Sequence, residues 1–374
     1  FTGEWEKCKI EDITDAVSSG KSKNHFSNGE YNLYGSTGII GRTDKALYDG
    51  KLVLVARVGA NAGFLQIINE PCGITDNTLI LKPKGIDAFY LYYFLQHFNL
   101  NRLIFGSGQP LITGGMLKKV KVSLGTISEQ SKIVKFLSLL DERIATQVRL
   151  IEDLKKLRCA IIENVFCSPN HNESALRFKG NTDPLSTYRM EDFCSRITRK
   201  NKDNQCSLVL TIAAQYGLVD QESFFNKTVA SENLAGYYLL HKGEFAYNRS
   251  YSAGYDWGAV KRLEKYPEGV LSTLYICFKI DESAVDSDYL AYYFESTKWH
   301  KGLSDIAGEG ARNHGLLNVS VNDYFNTRHR FHCMREQKII ASMLNVISQK
   351  ENDEIALYDN YQKQKQYLLS KMFI

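Results

Sequence analysis

Residues 128–144 read SEQSKIVKFLSLLDERI, and residues 335–351 read REQKIIASMLNVISQKE. At a constant offset of 207, Glu129, Gln130, Ile133, Leu137, Leu150, Lys156 and Phe166 meet the identical residues Glu336, Gln337, Ile340, Leu344, Leu357, Lys363 and Phe373. No gap is needed, so neither copy carries an insertion relative to the other. A chain that repeats a long segment at a fixed offset is built from two like halves, which excludes most single-core architectures.

Within the first copy, Ile133, Leu137, Leu140, Ile144, Ile151, Leu154, Ile161 and Val165 follow a 4-3 spacing, interrupted by Gln147 and Arg158. That spacing is the seam of a coiled coil. From Glu129 to Phe166 there is no Gly or Pro, and at 1.5 Å per residue these 38 positions predict a rod of about 57 Å. The second copy keeps Ile340, Leu344, Ile347, Tyr358, Tyr361, Leu368 and Met372 in register but sets Glu351 and Glu354 in mid-seam, which reads as a weaker rod.

The segments ahead of the rods echo each other with drifting offsets, as loops with insertions do: YLYYFL at 90–95 against YLAYYF at 289–294, and Gly106-Ser107-Gly108 against Gly308-Glu309-Gly310. LVLVARVG (52–59) and STLYICFKI (272–280) read as strands, and YLYYFL as a short helix. The expectation is an α+β chain: a first globule at 1–126, a helical region at 127–167, a linker and second globule at 168–334, and a second helical region at 335–374. Neither rod can hide its apolar stripe alone, so the two are expected to pair antiparallel, separating the mixed α/β globules with pseudo-two-fold symmetry.

Composition narrows the function classes. A charge of +4 with 24% charged and 44% hydrophobic residues fits a soluble chain and permits a polyanionic partner. Eight scattered cysteines without a CxxC pair read as reduced thiols of a cytoplasmic protein, and neither a metal nor a cofactor is expected. No run of eighteen apolar residues occurs, so no membrane partner is expected. The chain begins at Phe1 rather than Met, and a short leader is expected to be missing.

The ordered set of SEQSKIVKFLSLLDERI with its second copy, NLYGSTGIIG (32–41), RVGANAG (57–63), DNTLIL (76–81) and LRFKGNTD (176–183) set against the FTGEW start resembles the specificity subunit of Type I restriction-modification systems. The resemblance covers essentially the whole chain. It implies two target-recognition domains, each reading one half of a bipartite asymmetric DNA target, and helices that set the gap. It also implies two modification (methyltransferase) subunits as partners, with restriction (translocase/endonuclease) subunits joining through the complex. Catalysis is not expected in this chain: there is no GxGxxG after a strand, no Asn/Asp-Pro-Pro-aromatic stretch and no HExxH.

Duplex DNA is gripped at its phosphates by Lys and Arg and read at base edges by Arg, Asn, Gln, Ser and Thr. On glycine-framed loops of the first globule the candidates are Lys21, Tyr34, Ser36, Thr37, Arg42, Arg57, Asn61, Ser107 and Gln109. In the second they are Arg199, Lys200, Arg249, Tyr251, Tyr255, Trp257, Arg262, Arg312 and Asn313, with YNRSYSAGYDWGAVKR (247–262) as the region matching the loops of the first. Glu129, Gln130, Glu336 and Gln337 are the candidates for the partner surface. Two other classes share these residues: a coiled-coil scaffold that binds no DNA, and a nucleotide hydrolase using Gly20-Lys21-Ser22 of SSGKS.

Overall fold

The computed structural model describes residues 5–23, 29–104, 109–180, 183–226, 233–250, 254–306, 312–313 and 316–373. They form two compact units: unit 1 is Phe1–Leu150 with Glu354–Ile374, and unit 2 is Ile151–Asp353.

Unit 1 runs β1 (Glu6–Lys9), β2 (Thr14–Ser19), β3 (Tyr31–Gly35), β4 (Gly38–Thr43), β5 (Lys51–Ala56), β6 (Leu65–Asn69), β7 (Cys72–Ile74), β8 (Thr78–Pro83), α1 (Ala88–Phe98), α2 (Gly114–Lys118) and β9 (Lys121–Leu124) into the long helix α3 (Ile127–Val165). An antiparallel sheet in the order β2-β8-β5-β6 is its centre. Val53 and Val55 of β5 pack with Tyr90, Leu91 and Phe94 of α1, while Leu52 and Leu54 face Ile68, Ile74 and Ile80. Alternate side chains of a strand point to opposite faces, so covering both faces turns LVLV into an unbroken apolar run. The strand is shorter than the expected 52–59, because after one more ladder bond, Arg57 amide to Asn77 O at 2.9 Å, Arg57 O turns to accept from the Ile112 amide at 2.8 Å.

Unit 2 runs β10 (Ser186–Arg189), β11 (Cys194–Arg196), β12 (Leu210–Ala213), β13 (Gly217–Asp220), α4 (Gln221–Phe225), β14 (Tyr238–His241), β15 (Phe245–Asn248), β16 (Ala259–Arg262), β17 (Glu268–Leu271), β18 (Ile276–Ile280), α5 (Ser287–Tyr293), α6 (His300–Ile306), β19 (Arg312–Asn313), β20 (Leu316–Leu317), α7 (Val321–Phe325) and β21 (Arg328–Phe331) into α8 (Met334–Met372). Its central sheet, β11-β18-β15-β16, repeats the topology of β2-β8-β5-β6, and the pair β10-β21 repeats β1-β9. Of STLYICFKI only Ile276–Ile280 is strand, since Ser272 and Tyr275 close a turn.

Helices α3 and α8 are each 39 residues long, and their ends coincide at the offset of 207. Every 4-3 position from Ile133 to Val165, and from Ile340 to Met372, is buried or half-buried. In unit 1, Lys365 Nζ lies 2.6 Å from Asp141, the Arg143 guanidinium lies over Tyr361 at 5.4 Å, and Gln147 donates to Glu354 O at 3.0 Å and to its carboxylate. As partner numbers rise along α3 they fall along α8, so the helices run antiparallel. The expected weakness of the second copy is offset by this pairing: Gln147 and Glu354 are the same position of the repeat and satisfy each other. In unit 2, Arg158 and Glu351 form an ion pair at 3.2 Å, completed by Glu295 at 2.5 Å.

The repeated residues make repeated contacts. Tyr93 Oη donates to Asp141 at 2.8 Å and lies 3.2 Å from Ser138 Oγ, while Tyr292 Oη lies 2.8 Å from Asn345 and 3.0 Å from Ser348. Phe373 at the end of α8 packs edge-on against Tyr90 and Phe94 of α1, and Phe166 does the same with Tyr289 and Tyr293 of α5. Each C-terminal aromatic ring therefore completes the aromatic core beneath the equivalent short helix.

Unit 2 also buries two histidines. His329 hydrogen-bonds with the Tyr293 hydroxyl at 3.0 Å and with the Thr327 hydroxyl at 2.8 Å, and His332 with that of Tyr289 at 2.7 Å. Burial holds His329 down to about 3 and His332 to about 4, the latter against the opposing pull of Glu336. An unfolded His titrates near 6.5. The folded state thus refuses protons that the unfolded chain accepts, so this stability is complete above about pH 6.5 and drains away as pH falls towards about 4 and 3, by up to about 2.7 kcal/mol per pH unit while both groups act. Urea denaturation of unit 2 at pH 7 and pH 5 checks it, and equal midpoints would contradict the assignment.

Candidate nucleic-acid interface

Antiparallel pairing of β5 with β8, and of β2 with β8, places the end of β5, the start of β8 and the end of β2 at one edge of unit 1. Parallel pairing of β3 with β7 puts the β3–β4 tip there too. Asn77 O joins these loops, accepting from the Arg57 amide at 2.9 Å and the Ser36 hydroxyl at 3.3 Å. The Gly59 amide donates to Pro110 O at 3.0 Å, and the Ile112 amide to Arg57 O at 2.8 Å. Ser36, Thr37, Arg57, Asn61 and Gln109 are thereby gathered at one end of the sheet, with Lys21 exposed beside them after the Gly20 amide bonds Thr78 O. Arg42 is exposed on β4, and Ser107 lies outside the described residues.

Arg57 sits half-buried at this edge. Among the described residues its side chain has one close polar contact, Nη1 to Ser19 Oγ at 3.4 Å, its buried Nε has no partner, and no carboxylate is within ion-pairing range. Arg249 occupies the equivalent place after β15. The Leu317 amide donates to Arg249 O at 3.0 Å, as Ile112 does to Arg57, and Arg249 Nη1 and Nη2 donate to Val319 O and Leu274 O at 3.0 and 3.1 Å. Its Nε is likewise buried and unpartnered. β19, carrying Arg312 and Asn313, pairs with β20 beside this point; their side chains and Tyr251 lie outside the description.

Other expected DNA contacts are committed elsewhere. Tyr34 donates to Glu70 at 2.6 Å, and burial together with that bond pushes its phenol up to about 12. Arg262 is locked by Asp288 at 2.7 Å and Glu264 at 2.9 Å, at the end of β16 remote from Arg249, since Arg262 pairs with Phe245 and Asn248 with Ala259. Arg199 is neutralised by Glu244 at 2.6 Å. Lys200 donates to Gly236 O at 2.8 Å and lies 4.1 Å over the Tyr238 ring. Tyr255 and Trp257 pack against apolar clusters. The approach of Glu244 and Asp288 to these cations could not be read from the sequence, because they lie 45 and 26 positions from Arg199 and Arg262; only Glu264, two residues after Arg262, is local.

The four candidates for a partner surface have work within the chain. Glu129 closes a capping box on α3, accepting from the Thr126 amide at 2.9 Å. Gln130 donates to Gly125 O and Gln337 to His332 O, both at 2.9 Å, the same bond at the offset of 207. Glu336 is fully buried against Arg177. The repeated Glu-Gln pair thus anchors each helix start, and three of its four side chains are buried. In SSGKS, Ser22 Oγ accepts from the Ile74 amide at 3.0 Å, and a Cβ at Gly20 would meet Ile74 O and Thr75 O at 2.3 Å. No helix follows Lys21 among the described residues, so the loop lacks the helix terminus that a phosphate-binding loop needs. Among the described residues there is no cluster of three or more His, Cys, Asp or Glu that could hold a metal, and no helix long and apolar enough to cross a membrane.

The two units are alike in sheet topology, and each places at one sheet edge an arginine without a carboxylate partner among the described residues. Residues 2–156 match the family described as Type I restriction modification DNA specificity domain. The chain is 25% identical over 135 residues to the Type I restriction enzyme EcoprrI specificity subunit of Escherichia coli, covering 36% of this chain and 33% of that protein. It is 28% identical over 171 residues to a type I specificity subunit of Mycoplasma genitalium, covering 43% and 44%. The crystal structure of a Type I restriction-modification S subunit from M. genitalium shares the fold, with a TM-score of 0.62 at 16% identity over 100% of this chain and 97% of that one. The chain is thus HsdS-like: it resembles specificity subunits of Type I restriction-modification systems in sequence over part of its length and in fold over all of it. Its sequence matches span less than half the length of these two curated relatives.

Proposed function

We propose that this chain is the non-catalytic DNA-reading subunit of a Type I restriction-modification complex, with target-recognition domains at 1–126 and 168–334 and helical regions at 127–167 and 335–374. Each domain reads one half of a bipartite asymmetric target, and the helices set the gap. The observation that carries the reading is the pair Arg57 and Arg249: equivalent in topology, half-buried, and without a carboxylate partner among the described residues. A cation held at a loop-rich edge without a counter-charge suits phosphate or guanine, both rich in acceptors. Lys21, Ser36, Thr37, Asn61 and Gln109 extend the same edge in the first domain.

Two modification subunits are the proposed protein partners, with restriction subunits joining through them, in a cytoplasmic complex. Support comes from apolar side chains exposed at matching positions of both helices: Leu139 and Val346 at 56% and 67%, Leu150 and Leu357 at 41% and 37%. A surface displayed twice suits two copies of one partner.

Arg57→Ala is expected to erase preference for one half-sequence and Arg249→Ala for the other, each by about 1–3 kcal/mol of discrimination. Competition binding with duplexes scrambled in one half at a time measures this. If both variants lose the same half, the domain assignment is wrong; if wild type shows no salt-dependent DNA affinity, the chain is a scaffold instead.

A further inference from the structure

The sequence matches residues 247–262 to the loops of the first globule as a group, and strand pairing aligns the halves loop by loop. β3 is parallel to β7, the strand before β8, and β12 continues from a parallel bridge of Val209 with Val270 on β17, the strand before β18. The hairpin β12–β13 is therefore the counterpart of β3–β4. Each tip is followed by a glycine at positive φ, Gly38 at +134° and Gly217 at +85°. Each tip also lies by the edge strand of its central sheet at the same register. Gln66 of β6, opposite Leu54, donates to Gly35 O and Ser36 O, and Lys261 of β16, opposite Ala246, lines one cavity with Gln215 and Tyr216.

The second tip differs in chemistry. Where the first carries Ser36 and Thr37, it carries Gln215 and Tyr216, and Tyr216 is 62% exposed. Its ring lies 6.3 Å from Phe224, which lies 5.1 Å from Phe225; these two are 45% and 47% exposed. α4 holds this pair in place through Asp220, which accepts from the Glu222 amide at 3.1 Å and the Ser223 hydroxyl at 2.6 Å. The adjoining cavity, about 810 Å³, is lined by Arg262 and presents Lys242 and Lys261, neither with a carboxylate partner among the described residues; of its carboxylates Glu264, Glu295 and Glu351 are taken by Arg262 and Arg158, and Glu282 is a further one. Three clustered rings in water beside free ammonium groups fit a surface that is both apolar and anionic. Duplex DNA offers both, as thymine methyls or base steps open to an apolar wedge, flanked by phosphates.

We infer that the Gln215–Tyr216 hairpin tip, backed by Phe224, is a specificity-determining element of the second domain, contacting bases of its half-site by apolar insertion and a side-chain amide. This rests on the proposed DNA-reading function. The test selects bound duplexes from a pool randomised along its length, using the full-length chain and its Tyr216→Ala, Gln215→Ala, Phe224→Ala and Arg249→Ala variants, with thermal melts of each. Because the tip is exposed, Tyr216→Ala is expected to melt like wild type. It should bind the wild-type consensus about tenfold more weakly and make degenerate only the half-sequence lost in Arg249→Ala. A wild-type selection from both Tyr216→Ala and Gln215→Ala, with Arg249→Ala still degrading one half, would overturn the inference and leave the function standing. Loss of protein-partner binding with DNA selection intact would overturn it in favour of a protein docking patch. No effect of Arg249→Ala or of the tip variants would remove the function and the inference together.

Discussion

Phe373→Ala is expected to destabilise unit 1 by about 3–5 kcal/mol while leaving unit 2 near its wild-type stability, and Phe166→Ala to do the reverse. Phe373 is 4% exposed and Phe166 1%. Each ring fills the space between two aromatic side chains of a short helix, Tyr90 and Phe94 for Phe373, Tyr289 and Tyr293 for Phe166. Truncation leaves a cavity the size of a benzene ring, and the neighbouring rings are too stiff to collapse into it. The consequence is specific because Phe373 belongs to unit 1, although it lies more than two hundred residues from the strands it supports. Hydrogen exchange read separately over β5 and β15 distinguishes the two variants. Loss of protection in the same unit for both would show that these contacts are not the ones that complete each core.

The second large effect sits at the start of α8. Arg177→Ala is expected to cost about 3 kcal/mol, at the lower end for a broken buried ion pair because the Arg177 side chain keeps 19% of its exposure. Glu336 has none, and its carboxylate is held by Arg177 Nη2 at 2.5 Å and Nε at 3.3 Å. His332, 3.9 Å away, is held neutral by burial and cannot replace the lost charge. Replacing both partners, Arg177→Leu with Glu336→Leu, is expected to recover most of the loss, since no charge is then left buried. Urea denaturation of the three proteins decides: a double variant as unstable as Arg177→Ala would mean that packing, not the uncompensated charge, sets the cost.

The two long helices were legible because their information is local and periodic. The 4-3 spacing names each seam position, and the fixed offset of 207 carries both helix ends from one copy to the other. Even the polar interruptions were visible as Gln147, Arg158, Glu351 and Glu354, though not their solution, since a seam residue's partner lies on the other helix. The candidate edge was half legible. Arg57 and Arg249 follow strand-like runs and stand where a chain leaves a sheet. Arg199 and Arg262 look much the same in sequence and differ mainly because Glu244 and Asp288 come into reach in space, Glu264 being a neighbour along the chain.

By itself the sequence determined that the chain has two like halves, that each ends in a rod of one length, and that the rods meet along a defined stripe. These follow from spacing, and spacing survives without coordinates. Tertiary structure alone decided which of the described cations lack a carboxylate partner, that the repeated Glu-Gln pair anchors helix starts, and that the 210–220 hairpin is the counterpart of the 31–43 hairpin. The reason is that charge compensation, burial and strand order depend on contacts between residues far apart in the chain, whose pairing no local pattern encodes.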